Sequence, residues 1–109
     1  MKHLKLVVNN KNKKRDIFFN KNELKLILNL YAEMVSDGEW KDYGLSITNG
    51  QVGFSVFKNF SEKAKYKICK NFNPFNKNLK YSITDSNGKI LRNSHNLLSL
   101  VRNTNWKKL

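Results

Sequence analysis

The chain has 109 residues, 39% of them hydrophobic and 12% aromatic, with a formal net charge of +13 and one cysteine. That is enough apolar material for one core in one domain without metal or disulfide support. A lone thiol, Cys69, excludes an intrachain disulfide, the two histidines His3 and His95 give no zinc spacing, and no run approaches the ~20 apolar residues of a membrane span.

Lysine outnumbers arginine eighteen to three, beside seventeen asparagines, a bias that an A/T-rich coding sequence produces without selection for a ligand. The distribution of charge says more than its sum. Residues 1–15 carry +6, residues 16–42 carry −3 and residues 43–109 carry +10. A locally acidic segment therefore interrupts a basic chain. The amino terminus has an apolar run too short for a secretory signal, so a soluble cytoplasmic protein is expected.

Leu4 to Val8 allows a short strand, and the rest of 1–15 reads as a basic flexible arm. The domain proper is expected over 16–106, with 107–109 a frayed tail. Asn20 and Glu23 have capping-box spacing, and Phe19 and Leu24 the spacing of a hydrophobic staple. Leu24, Ile27, Leu28, Tyr31 and Val35, widened by Leu30 and Met34, form the apolar stripe of a long amphipathic helix that Gly38 ends. Glu33, Asp37, Glu39 and Asp42 then cluster where the helix dipole disfavours negative charge. Rules broken in this way mark partner sites or tertiary contacts. Pairing with the chain's own lysine-rich sheet is the favoured explanation; a divalent-metal patch, or a partner site at Glu39, Trp40, Asp42 and Tyr43, is the alternative.

Alternating residues from Gly44 to Thr48 and Gln51 to Lys58 flank Asn49-Gly50, the signal for a type I′ hairpin. Ala64 to Lys70, Leu79 to Ile83 and Lys89 to Arg92 supply further strands, with a second turn at Asn87-Gly88. Ser94 is placed to cap a short helix over about His95 to Asn103, after which Trp106 folds back. The fold class is α+β: one long N-terminal helix on an antiparallel meander of four to five strands, and a short C-terminal helix.

No phosphate-cradling glycine loop, nucleophile elbow or metal-ligand spacing occurs, so no catalytic residue, metal or cofactor is assigned. An enzyme would need a pocket joining His95 and Arg92 to Glu39 or Asp42. Lys65, Lys67, Lys70, Lys77 and Lys80 with Phe57 suit phosphate contact and base stacking on a sheet face. A solvated lysine face is the plainer alternative, since lysine also blocks edge association.

The series Phe19, Glu23-Leu24, Ile27-Leu28, Leu30-Tyr31, Met34-Val35, Gly38-Glu39-Trp40-x-Asp42-Tyr43 closely resembles a family of short bacterial proteins catalogued as domain-of-unknown-function family 2794. The likeness continues through Phe54-Ser55-Val56-Phe57, Ser61-Glu62, Tyr66-x-Ile68-x-Lys70, Tyr81, Gly88-x-Ile90-Leu91, His95 and Val101-Arg102. It implies a compact cytoplasmic protein and carries no activity. The leading expectation is a non-enzymatic module binding RNA or a ribonucleoprotein through the lysine-bearing face. The second is an adaptor that contacts another protein through Glu39 to Tyr43. Neither involves a membrane, and the oligomeric state is left open.

Overall fold

The computed structural model describes residues 18–59 and 63–109. The basic arm expected over 1–15, its strand at 4–8, and Ser61-Glu62 lie outside the described residues. The elements run α1 (Lys21–Ser36), β1 (Asp42–Thr48), β2 (Gln51–Phe57), β3 (Tyr66–Asn71), β4 (Tyr81–Asp85), β5 (Ile90–Ser94) and α2 (Leu97–Asn103). Single 3₁₀ turns cover Lys77–Leu79 and Trp106–Lys108. The five strands form one antiparallel meander in sequence order, with β1 and β5 at its edges.

Both ends of α1 are built as local chemistry dictates. Asn20 Oδ1 accepts from the Glu23 N–H at 2.8 Å, and the Asn20 N–H donates to Glu23 Oε1 at 2.7 Å. At the other end Gly38 has φ +77°, its N–H bonds to the Val35 carbonyl, and the Glu39 N–H bonds to Met34, completing a Schellman stop. The helix is 16 residues, of ordinary globular length rather than a long one.

Its buried stripe is Ile27, Leu30 and Met34 with Glu23, while Leu28 and Val35 remain 39% exposed. The stripe is thus rotated from the one expected, because α1 sits over the middle of the sheet and turns its Leu28–Tyr31–Val35 flank toward β1. Tyr31 on that flank meets the Tyr43 ring at 5.0 Å. Burying Ile27, Leu30 and Met34 stabilises the fold by about 1.5–3 kcal/mol each.

Alternation assigns Val52, Phe54, Val56, Tyr66, Ile68, Tyr81 and Ile83 to the inner face of the sheet, where they share one core with α1, α2 and the two tryptophans. Trp40 is 1% exposed and meets Trp106 edge to face at 5.7 Å. Trp106 in turn donates from Nε1 to the Val101 carbonyl.

Three local expectations are corrected. The Asn49-Gly50 turn is not type I′, which needs positive φ at both residues; only Gly50, at +88°, has it. The second helix starts two residues later than expected, because Asn96 caps it by accepting from the Ser99 N–H while Ser94 belongs to β5. Residues 107–109 are not frayed. The Tyr66 hydroxyl donates to the Leu109 carbonyl at 2.8 Å, Leu109 packs on the core, and Lys107 Nζ lies 3.0 Å from Asp37 Oδ2.

Candidate functional site

The lysines read as one basic face are divided by the pleat. Lys70 follows the parity of Tyr66 and Ile68, so it points inward and is buried. Its Nζ donates to Glu23 Oε1 at 2.8 Å and to the Phe18 carbonyl at 3.2 Å. Glu23 Oε2 accepts from the Tyr81 hydroxyl in a short hydrogen bond. The carboxylate that caps α1 therefore also ties the helix start to β3 and β4. Lys70 is withdrawn from any phosphate-binding role.

Burial by itself would raise the Glu23 carboxyl. The bonds from Lys70, Tyr81 and the Asn20 N–H, together with the lysine's charge, outweigh that and hold it below its ordinary range. The parity of β3 was a readable signal for Lys70; the second role of Glu23 had none beyond its capping position.

Lys67 and Phe57 lie on the outer face, opposite the helices, and Lys65 stands beside them at the entry to β3, its Nζ 5.3 Å from the ring centre of the inward-facing Tyr66. β2 pairs Ser55 with Lys67, and the Lys65 N–H bonds to the Val56 carbonyl next to Phe57. All three side chains are half-buried. The small residues in the middle of this face, Gly53, Cys69, Ser82 and Thr84, are buried. Ser46, Gly53, Cys69, Ser82 and Asn93 form one row across all five strands. The methylenes of Lys67 lie over Gly53, where a Cβ would meet Lys67 Cδ at 2.7 Å. Cys69 is buried in this row, which pushes its thiol up and keeps it protonated and unreactive. Lys77 and Lys80 stand at the opposite end of β3, with Lys80 Nζ 5.6 Å from the Tyr81 ring centre. The structure thus brings together Phe57, Lys65 and Lys67, and separates Lys77 and Lys80 from them.

The acidic helix exit resolves mostly into internal contacts. Asp37 pairs with Lys107, and Glu39 approaches Lys58 at 3.9 Å. Trp40 is enclosed and is not presented to a partner; its indole fills the space between α1 and Trp106. Asp42 accepts from the Tyr43 N–H. Tyr43 stacks on Phe54, with ring centres 4.9 Å apart, yet keeps 43% of its surface exposed. Of the four residues named for a partner site, Asp42 and Tyr43 stay on the surface and Glu39 is half-buried.

Among the described residues, His95 and Arg92 line separate depressions. His95 is exposed at the rim of a shallow depression with Glu23 and Tyr81, Arg92 lines a different one with Ser99 and Asn103, and neither depression includes Glu39 or Asp42. Among the described residues no cluster of three His, Cys, Asp or Glu side chains could hold a metal, and no helix is long and apolar enough to cross a membrane.

The model of a family described as protein of unknown function, DUF2794, matches residues 17–101. The chain belongs to this family. No curated protein and no solved structure matches it.

Proposed function

We propose that this DUF2794 protein is a non-enzymatic binding module that takes single-stranded RNA, free or within a ribonucleoprotein, on the outer sheet face. The observation that supports the reading is the placement of Phe57 and Lys67 on the face opposite the helices, with Lys65 beside them at the strand entry. Lysines there meet phosphates, and Phe57 offers a stacking plane. With lysine in place of arginine, contact is to phosphate and base faces and not to base edges, so sequence preference is low.

Fluorescence anisotropy with a labelled oligouridine at low salt tests this. Binding should weaken steeply as salt rises, K65E/K67E should reduce affinity at least about tenfold, and Phe57→Ala should cost about 1–3 kcal/mol. Affinity at the noise level, or affinity indifferent to these changes, refutes it.

A second reading, a protein-interaction module, is supported by a different observation. Tyr43 is exposed, and so are Leu45 and Ile47, which follow it on the same face of β1. The contact then lies on the strand after the helix exit and not on Trp40.

A further inference from the structure

We propose that β1 is a self-association edge, on which a second copy of this chain pairs antiparallel about a two-fold axis at Leu45. This rests on the protein-interaction reading and is independent of the RNA-binding one.

The main chain sets the geometry. The Phe72 N–H bonds to the Gly50 carbonyl, which fixes the even-numbered residues of β2 as those bonded to β3. The odd-numbered residues of β2 then bond to Asp42, Gly44, Ser46 and Thr48 of β1. Tyr43, Leu45 and Ile47 are left with their N–H and C=O groups directed away from the sheet. The same three residues carry the exposed inner-face side chains, with Leu45 46% and Ile47 55% exposed. One short strand thus offers unpaired backbone and uncovered apolar surface at the same positions.

The sequence of the edge favours a second copy. Residues 43–57 are the longest uncharged run in a chain of net charge +13. Edge strands are ordinarily protected by lysine, proline, a bulge or a covering element, and among the described residues β1 has none of these along Tyr43–Thr48. An axis at Leu45 sets Leu45 against Leu45 and Tyr43 against Ile47 as hydrogen-bonded pairs, all on the inner face. The Tyr43 N–H exchanges the Asp42 carboxylate for the Ile47 carbonyl. Gly44 then faces Ser46, and Asp42 faces Thr48, so no like charges meet. The Leu28 and Val35 flanks of the two α1 helices border the joined strip. The result is a ten-stranded sheet with all its helices on one side and an outer face of twice the area.

A strand pair with this strip lies at the small end of specific interfaces, so the dimer should be concentration-dependent over roughly 1–100 µM. Sedimentation velocity across that range should show the mass doubling for the full chain. Leu45→Lys should stay monomeric with an unchanged circular dichroism melting curve, while Ile90→Lys on the other edge should dimerise as the parent does. Leu45→Cys reports the register. Hydrogen-bonded antiparallel partners sit about 5.5 Å apart at Cα, which admits a disulfide. Leu45→Cys should therefore oxidise to a covalent dimer and Ile47→Cys should not, the native Cys69 being buried. A parent that is monomeric throughout, a dimer untouched by Leu45→Lys, or equal cross-linking at 45 and 47 overturns the proposal. A monomer that binds a different protein through β1 overturns self-pairing and leaves the protein-interaction reading standing. Oligouridine affinity measured on Leu45→Lys separates either failure from that of the RNA reading.

Discussion

Lys67 and Lys70 stand three residues apart on β3 and face opposite sides of the sheet. One lies along the surface over a glycine; the other is buried against Glu23. The same residue type is thus a candidate ligand contact in one position and part of the fold in the other. The difference shows that in a lysine-rich chain the basic residues must be sorted by pleat parity before any of them is counted toward a ligand.

The sharpest way to break this comparison is to remove each ammonium in turn. Lys70→Met leaves the Glu23 carboxylate buried without its cation and should cost about 3–5 kcal/mol in urea unfolding. Lys67→Met should change stability by no more than about 0.5 kcal/mol. Equal costs would erase the distinction between the two faces.

A smaller effect is expected from the other half of the buried pair. Glu23→Gln keeps one side-chain oxygen for the Asn20 N–H but sets an amide NH2 against the Tyr81 hydroxyl and loses the charge opposite Lys70, and should cost about 2–3 kcal/mol. The acid response gives an independent reading. A carboxyl held low in the folded state contributes stability that is complete above its unfolded pKa and is lost as pH falls through its folded pKa. Stability of the parent should therefore fall with acidification below the ordinary carboxylate range, and the loss in Glu23→Gln should be shallower. Parallel acid profiles would show that the network carries no linked proton.

Much of the architecture was legible because it is local. The Asn20–Glu23 box, the stop at Gly38 and the alternation of β1, β2 and β4 each depend on residues close in sequence, and each element formed. What the sequence hid depends on where elements sit. The rotated stripe of α1 arises because the helix leaves β1 uncovered, so Leu28 and Val35 become flank residues while Leu30 and Met34 become core. The acidic helix end was expected to pair with the lysine-rich sheet, but Asp37 meets Lys107, which returns from the far end of the chain. Trp40 looked like a contact beside charged neighbours, but it fills a space that exists only once Trp106 folds back. Of the candidate surface, parity correctly placed Lys67 and Phe57 together and could also have removed Lys70.

The smallest expected effect probes how firmly Lys67 is held. A Cβ at Gly53 would approach Lys67 Cδ at 2.7 Å and Ser46 Oγ at 3.3 Å, but the closest atoms belong to a flexible side chain that can swing outward. Gly53 needs no positive φ, and glycine within a strand costs about 0.5–1 kcal/mol relative to alanine. Gly53→Ala should thus gain backbone stability and lose the packing of Lys67, for a net change within about 0.5 kcal/mol. The displaced ammonium would stand further from the sheet, and oligouridine affinity should move while the melting temperature does not. A loss above about 2 kcal/mol would mean that Lys67 is fixed in place like Lys70, since only rigid neighbours turn one added methyl into a large penalty.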